Sequence, residues 1–413
     1  MEVGVVGATG FIGREVTRQL IARGHRVRAF GRNQVQLAQI RSIGVTPVQA
    51  AGGNWPTTLN GLDAVVVAIG TIDPSGMAES HREIPHRIAD AAEKAGITRL
   101  VLVSALGTSP DSSTDFLRTK AHGEDAVHER KLPGWTVVRP SLVYGPGGAS
   151  MHFLAAIAAF PIRLRFDSGP IRPLQVNDLA AAIVDLLESD EPLPRSVDAV
   201  GPDQIDINDY IDALACWLMV GHRPGLRLPL GSVVRFASLL RLPFVNDDMH
   251  TMLMRGADGD ATDLLRLTNT RPVGLSAGLA RHPAIFADRA TAVLAPWLEG
   301  LWYALALFWI VTGVMSIANI EDGRALLLQA EVKGRFASSL VLGGAVLDIG
   351  LGLFAFIRRT RRLAAAAQAL TILFYSILAT FLVPAAWADP LGQLLKNVPI
   401  FMATLLFVQL PKR

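Results

Sequence analysis

The sequence predicts two structural classes in one chain. The first half is expected to be an α/β domain, a doubly wound parallel sheet with a small substrate lobe, and the second half an all-α four-helix transmembrane bundle. Three observations support this: short apolar runs alternate with helical stretches, a glycine-rich turn follows the first run, and the chain becomes apolar and nearly uncharged from about Trp297. Half of the 413 residues are hydrophobic, and the mean hydropathy of +0.35 reflects an excess at the C-terminal end.

The alternation in the first half has the spacing of strands joined by helices. Buried-strand runs are expected at residues 3–6, 27–30, 45–49, 64–69, 100–103 and 135–139. A helix should follow the first run and end near Gly24, and another should cover residues 86–95 and end at Gly96, since glycine commonly terminates helices. Alternating strands and helices are typical of a parallel sheet with helices on both faces.

The glycine-rich turn lies between the first strand and the first helix. Its first glycine permits a tight turn, the second lets backbone N–H groups approach a pyrophosphate, and the third lets the helix pack on the strand. This context predicts a Rossmann-type dinucleotide site. The residues expected to bind the cofactor here are Gly7, Thr9, Gly10, Phe11, Ile12 and Gly13.

Cofactor choice is read at the end of the second strand, where an acid binds the ribose hydroxyls of NAD and an arginine accepts the 2′-phosphate of NADP. Arg32 stands there, and the segment Phe30-Gly31-Arg32-Asn33 holds no acid. NADP(H) is therefore favoured, with NAD(H) as the alternative. Ala68 and Gly70, at the end of the fourth strand, are expected to lie against the cofactor.

Charge and cysteine content exclude several classes of function. The net charge is only +3, and no basic stripe with interleaved aromatics indicates nucleic-acid binding. Cys216 is the only cysteine, so an intrachain disulfide and a cysteine-built metal site are excluded. The histidines lack ligand spacing, and no metal is expected.

Four segments together resemble the short-chain dehydrogenase/reductase superfamily in its extended and atypical branches. They are GATGFIG from Gly7, LVSALG ending at Gly107, FLRTKAHGE from Phe116 and VVRPSLVYGPGG from Val137. The resemblance covers roughly residues 1–210 and is strongest to the NmrA-like group and to the nucleotide-binding accessory subunit of respiratory complex I.

The resemblance implies catalytic positions for Ser104 and Lys120. In catalytic members a Tyr-x-x-x-Lys pair shares one helix face, the lysine binds ribose hydroxyls, and the tyrosine transfers a proton while the nicotinamide transfers a hydride. Phe116 occupies the tyrosine position here. Losing a general acid costs about 10²- to 10⁴-fold in rate, so ordinary carbonyl reduction is doubtful. Tyr144 and His122 are alternative donors, but neither matches a family position.

The second half is long enough and apolar enough to span a bilayer. Residues 301–320 are uncharged, as is the longer segment 363–388, and twenty helical residues cover about 30 Å. The domain division expected is 1–290 for the nucleotide-binding domain, with a substrate lobe at about 161–285, and 291–413 for the membrane domain, with spans at about 297–320, 336–357, 363–387 and 391–410. Buried helices of a large soluble domain are the alternative.

This second half resembles the DoxX-like family of small four-helix membrane domains, chiefly around Asp348 and before Val398. Pairing of Asp348 with Lys396 is one hypothesis for these charges, since unpaired charges in a membrane are costly. Gly343, Gly344, Gly350 and Gly352 are expected at helix contacts. The arginines at 358, 359, 361 and 362, with Lys412 and Arg413, place both termini in the cytoplasm by the positive-inside rule.

Two hypotheses about function follow from these features. The first is an inner-membrane NADP(H)-binding oxidoreductase that passes a hydride to a membrane-associated acceptor such as a quinone, since a quinone needs no tyrosine. The second is a non-catalytic NADP(H) sensor or a scaffold of a membrane complex, which Phe116 also favours. A regulatory first domain on a transporter or a partner-recruiting bundle is a third possibility.

Overall fold

The computed structural model describes residues 1–49, 55–130, 132–221, 223–227, 247–329, 331–332, 334–357, 360–382, 384–388 and 394–409. The chain divides into two compact units, Met1–Val293 and Leu294–Arg413. The sequence also suggests a helix at residues 233–240, but these residues lie outside the described ones, as do Arg358, Arg359, Lys412 and Arg413.

The first unit is built on a seven-stranded parallel sheet of order β10-β6-β5-β4-β1-β2-β3. Its strands are Glu2–Val6 (β1), Arg26–Gly31 (β2), Val45–Gln49 (β3), Ala64–Val67 (β4), Arg99–Val103 (β5), Trp135–Pro140 (β6) and Ser196–Ala199 (β10). The six predicted strands are all present, whereas β10 is an addition. Strand order reverses between β1 and β4, which opens a crevice at their carboxyl ends, where doubly wound sheets bind ligands.

The helices of the first unit alternate with these strands. They are Phe11–Ala22 (α1), Gln34–Gln39 (α2), Trp55–Thr58 (α3), Pro74–Met77 (α4), Ile84–Lys94 (α5), Asp115–His128 (α6), Ala149–Ala159 (α7), Val176–Glu188 (α8), Ile207–Trp217 (α9), Asp247–Arg255 (α10), Thr262–Leu267 (α11) and Leu275–Ala280 (α12). A π-helical segment, Ala78–Glu83, joins α4 to α5. The central strands are buried on both faces, and one apolar cluster lies on each face, so the sheet positions the crevice rigidly.

The substrate lobe contains a third cluster around α7, α9 and α12. Four short strands accompany it, Val143–Tyr144 (β7), Arg163–Arg165 (β8), Leu174–Gln175 (β9) and Gly225–Arg227 (β11). The sequence suggests Asp178 as a helix N-cap, but α8 begins at Val176, so Asp178 lies within its first turn. The Asp178 carboxylate instead accepts hydrogen bonds from the Val273 N–H (2.9 Å) and from Arg281 (2.7 Å), and so joins α8 to the residues on either side of α12.

The second unit is helical. Its helices are Phe286–Ala318 (α13, which begins in the first unit), Ile320–Gln329 (α14), Gly334–Phe354 (α15), Arg361–Leu382 (α16) and Asn397–Gln409 (α17). Among the described residues α13, α15 and α16 are long and apolar enough to cross a membrane. The fourth expected span is shorter than predicted: residues 394–396 form a turn, and α17 has 13 residues. Helix α13 also begins before the predicted start and continues through Pro296.

Close helix contacts in the second unit use some of the expected glycines. A Cβ at Gly352 would lie 2.8 Å from the Ala306 carbonyl oxygen, and one at Gly313 would lie 2.6 Å from the Ala345 carbonyl oxygen, so α13 and α15 approach backbone to backbone. Gly344 faces the Tyr375 hydroxyl, whereas Gly343 and Gly350 have open space beside them. Among the described residues, Gly343 and Gly350 are therefore not at helix contacts, contrary to expectation.

The expected pairing of Asp348 with Lys396 is also wrong. The Asp348 carboxylate accepts a hydrogen bond from the Tyr375 hydroxyl at 3.3 Å. Lys396 is exposed, and within the described residues it makes no ion pair with Asp348. The neighbouring helix α16 thus supplies the partner of this buried acid.

Candidate functional site

The glycine turn takes the conformation that a dinucleotide loop requires. Gly7 has φ +86°, which strongly favours glycine, and a Cβ there would lie 2.5 Å from the Ala68 carbonyl oxygen. A Cβ at Gly13 would lie 2.2 Å from the Gly7 carbonyl oxygen, so α1 packs directly on the turn. The N–H groups of Gly7 and Ala8 both donate to the Phe30 carbonyl oxygen, at 3.0 and 3.2 Å. These bonds hold the loop between the ends of β1 and β2.

The N-terminus of α1 is free to bind an anion. Gly10 is its N-cap, no side chain caps the helix, and its first turn contains no acid. The first N–H groups of a helix lack backbone partners and carry partial positive charge, so they are suited to a pyrophosphate. Thr9, Phe11 and Ile12 are all partly accessible at this end. The turn and this helix start therefore fit a dinucleotide.

Arg32 lies in the loop just after β2. It is exposed and makes no ion pair or hydrogen bond with the described residues, whereas the neighbouring Asn33 caps α2 by accepting from the Val35 and Gln36 N–H groups. An unpaired guanidinium at this position is available for a phosphate.

Ser104 and Lys120 line the same small cleft at the carboxyl ends of β4 and β5. Lys120 Nζ donates to the carbonyl oxygens of Ile69 (3.0 Å) and Val103 (3.1 Å). Burial lowers the pKa of Lys120 to about 8, although the carboxylate of Glu124 opposes this shift. The Ser104 hydroxyl is buried and has no hydrogen-bond partner. A buried hydroxyl without a partner is costly and is therefore suited to a ligand oxygen.

Gly70 faces this cleft. A Cβ at Gly70 would lie 3.2 Å from Lys120 Nζ and 3.6 Å from His81 Nε2. Ala68 precedes it and is partly buried. The loop after β4 thus brings Gly70 beside the lysine, while the expected contact of Ala68 and Gly70 with a cofactor stays a prediction.

His81 is a site residue that the sequence did not reveal. It lies in the π-helical segment, is 1% exposed, and accepts a hydrogen bond from the Thr71 N–H at Nε2 (3.1 Å). The proton is therefore assigned to Nδ1, which lies 2.9 Å from the Thr119 hydroxyl. Burial, and then the charge of Lys120, lower the pKa of His81 to about 3. The only sequence signal is a histidine a few residues after the loop that follows a strand.

Phe116 is not one of the residues that line the cleft, but its ring contacts His81, which is. The two alternative donors, Tyr144 and His122, lie elsewhere. The ring of Phe116 meets the His81 ring edge-on, with centroids 5.3 Å apart. Tyr144 lies in the substrate-lobe core, where burial, with Asp178 next, raises its pKa above the ordinary value. The side chain of His122 is about half exposed and lies 3.8 Å from Asp125. Neither is found among the residues that line the cleft.

Helix α10 contacts two segments that lead to or from cleft residues. Asp248 accepts from the Asp115 N–H (3.1 Å) at the start of α6, and Arg255 donates to the Gly107 carbonyl oxygen (2.8 Å) in the loop after β5. The substrate lobe is therefore fastened to the elements that carry Phe116 and Ser104.

Comparisons with known proteins agree with this geometry. A family model described as NAD(P)H-binding matches residues 7–190, and one described as the DoxX-like family matches residues 306–405. The (4-alkanoyl-5-oxo-2,5-dihydrofuran-3-yl)methyl phosphate reductase of Streptomyces griseus is 32% identical over 221 residues, which cover 51% of this chain and 72% of that protein.

Two further similarities are more distant. The 40 kDa subunit of the NADH-ubiquinone oxidoreductase of Neurospora crassa is 26% identical over 50% of this chain, and the match spans 58% of the relative's own length. A crystal structure of the NADPH-dependent quinone oxidoreductase QOR2 from Escherichia coli, in complex with NADPH, aligns with a TM-score of 0.55 and 17% identity, over 68% of this chain and 99% of that one. The structural match supports the fold alone.

Proposed function

Because the chain belongs to the NAD(P)H-binding proteins of the short-chain dehydrogenase/reductase type, with a DoxX-like domain at its C-terminal end, we propose that it is a membrane-anchored NADP(H)-dependent oxidoreductase. Its acceptor is a membrane-associated molecule of the quinone class. One observation carries the proposal: the unpartnered Ser104 hydroxyl and Lys120 line one cleft that lacks a tyrosine.

The residues present fit a nicotinamide dinucleotide. The start of α1 would hold the pyrophosphate, Lys120 the ribose of the nicotinamide half, and Arg32 the 2′-phosphate that distinguishes NADP(H) from NAD(H). When bound, the cofactor supplies a hydride. The protein must then orient an oxygen of the acceptor, and one proton must reach the reduced product.

Ser104 would orient the acceptor by donating its free hydroxyl to an acceptor oxygen. The nearby ring of Phe116 cannot donate a proton. A simple ketone is reduced to an alkoxide, which is strongly basic and needs a general acid. A quinone gives a phenolate-like anion, which water can protonate. Reduction consumes the hydride and one proton and yields the quinol, so the absence of the tyrosine selects the acceptor class.

The acceptor also accounts for the second unit. Three apolar helices able to span a bilayer would anchor the chain to the membrane in which lipophilic quinones dissolve. We place the protein in the cytoplasmic membrane, with the NADP(H) site on the cytosolic side, because the basic residues flank the spans on that side in the predicted topology. The name of the Neurospora relative, which includes ubiquinone, is consistent with this acceptor.

A second candidate is a non-catalytic NADP(H) sensor or scaffold. Phe116 favours it, because the ring cannot carry out the proton transfer of the usual mechanism. The sensor requires cofactor binding but no turnover, so the two candidates differ in a single measurement.

That measurement is the loss of NADPH absorbance when the purified full chain in lipid is mixed with NADPH and a soluble quinone. Gly10→Asp is the matched control: aspartate is a good N-cap, and the nearest neighbour of a Cβ at Gly10 is the Gly7 carbonyl oxygen at 3.1 Å, but its carboxylate would repel the pyrophosphate. Oxidation that disappears in the control supports the oxidoreductase. NADPH binding without oxidation would favour the sensor.

A further inference from the structure

The second unit contains a buried polar cluster within its apolar helices, around Leu351. Trp309 of α13 packs with Leu351 of α15, and the Gln368 side chain of α16 donates to the Leu351 carbonyl oxygen at 3.2 Å. On the same two helices, Asp348 lies one turn before Leu351 and accepts from Tyr375, which lies two turns after Gln368. Three membrane-capable helices therefore contribute polar groups around Leu351.

Two polar atoms of this cluster have no hydrogen-bond partner among the described residues. They are the indole nitrogen of Trp309, a donor, and the amide oxygen of Gln368, an acceptor. Trp309 is 3% exposed and Gln368 is fully buried. A buried polar group without a partner destabilises the fold, and in lipid no bulk water can reach it. Two such atoms and a buried acid within apolar helices are therefore not explained by packing alone.

Other buried hydrogen-bond donors of the second unit do have acceptors. Trp302, two turns before Trp309 on α13, donates its indole N–H to the Ala355 carbonyl oxygen at 3.0 Å. Thr404, fully buried on α17, donates to the Ile400 carbonyl oxygen at 2.8 Å. Buried donors elsewhere in the unit are therefore hydrogen-bonded, and the unpartnered atoms of Trp309 and Gln368 both lie near Leu351.

We propose that the Trp309, Gln368 and Asp348 cluster binds the polar head of a neutral lipophile that carries both an accepting and a donating oxygen. The Trp309 N–H donates to the ligand, and the Gln368 amide oxygen accepts from a ligand hydroxyl. Quinols and semi-reduced quinones have this combination of groups, whereas a hydrocarbon has neither. The choice of a quinone-type probe rests on the proposed function, but the site itself does not.

The test is ligand-induced thermal stabilisation of the full chain in detergent. The probes are a benzoquinol with a short isoprenoid tail and the corresponding isoprenoid hydrocarbon without oxygen. For the wild type, we expect the quinol to raise the midpoint for loss of soluble, monodisperse protein by about 5 °C at a hundredfold excess over Kd. The hydrocarbon should leave the midpoint unchanged.

Two tryptophan variants form a matched pair. Trp309→Phe removes an unpartnered donor, so its midpoint without ligand should be close to that of the wild type and its quinol-induced shift should be lost. Trp302→Phe removes a satisfied bond, so its starting midpoint should fall while its shift remains. Gln368→Met, which lacks the free acceptor, should also lose the shift.

A shift retained by Trp309→Phe, a wild-type shift of equal size with the hydrocarbon, or no wild-type shift with quinol would each overturn the site. NADPH oxidation is measured separately on the same preparations. Stabilisation without oxidation would leave the bundle site standing and refute the proposed reaction, and oxidation without stabilisation would do the reverse.

Discussion

Lys120 should make the affinity for NADPH depend on pH. An ammonium group has three protons, and two of them are used by the carbonyl oxygens of Ile69 and Val103. Only the third is available for the ribose of a bound cofactor. The neutral amine has two protons, which the same carbonyls engage, so deprotonation removes the bond to the cofactor while the side chain stays in place.

The size of the effect follows from the kind of bond that is lost. A hydrogen bond from a charged group contributes about 1.5–3 kcal/mol, which corresponds to roughly 10- to 150-fold in affinity. Burial lowers the pKa of Lys120 to about 8 in the free protein. Cofactor binding favours the ammonium and so raises this pKa in the complex. Affinity should therefore be highest below pH 8 and should decline as the pH rises above it.

The assay is titration of NADPH fluorescence in the pH range from about 6.5 to 9.5, which brackets the shifted lysine pKa. Lys120→Met should bind weakly at all pH values and lose the decline above pH 8. Lys94→Met, which changes an exposed lysine at the end of α5, should behave as the wild type. The reasoning would be refuted if wild type and Lys120→Met lost affinity in parallel as the pH rose.

The remaining predictions concern four other residues of the cleft and turn. Gly13→Ala should abolish NADPH binding, because its Cβ would lie 2.2 Å from the Gly7 carbonyl oxygen; equilibrium binding measures this. Arg32→Asp should reverse the preference for NADPH over NADH, measured as the ratio of the two Kd values. Phe116→Tyr should raise ketone reduction by about 10²-fold or more and leave quinone reduction nearly unchanged, as measured by steady-state rates. His81→Asn should reduce the loss of stability on acidification. The pKa of His81 is about 3 in the folded protein and 6.5 in the unfolded chain, so between these values the unfolded state binds one more proton and wild-type stability falls as the pH falls. Thermal unfolding at several pH values measures this.

Three of these variants have a matched control variant within the chain. Gly221→Ala has open space for its Cβ and should bind NADPH normally. Arg41→Asp places the same charge on another exposed arginine and should keep the preference for NADPH. His86→Asn should keep the acid sensitivity of the wild type. Equal effects within any of these three pairs, or faster quinone reduction in Phe116→Tyr, would contradict the corresponding prediction.

The strands and the cofactor turn were predictable because their signals are local. A buried parallel strand is a short β-branched run, and the glycine turn combines sequence spacing with its place after a strand. Strand β10, with the sequence Ser196-Val-Asp-Ala199, lacks this signal. It pairs with β6 at the edge of the sheet, and only its contact with that strand makes it extended.

The errors concern contacts between residues distant in sequence. The Asp178 carboxylate binds Val273 and Arg281, and the sequence around Asp178 shows only a residue near a helix start. The partner of Asp348 is Tyr375 on another helix. His81 reaches the cleft because the π-helical segment packs against α6, where a Cβ at Gly123 would lie 2.0 Å from the His81 carbonyl oxygen. The sequence of one helix alone does not predict which residues of a distant helix it will contact.

The order of the strands along the chain has a consequence for biosynthesis. The last strand of the large sheet, Ser196–Ala199, is made about a hundred residues before the apolar part of α13 near Trp297. At roughly 5–20 residues per second this interval lasts about 5–20 s, longer than the milliseconds to seconds in which domains of this class fold. The nucleotide-binding sheet can therefore be complete on the ribosome before the membrane-capable helices emerge. A mutation that slows sheet formation should then leave an incompletely folded domain present at the same time as apolar helices that have not yet been inserted into the membrane.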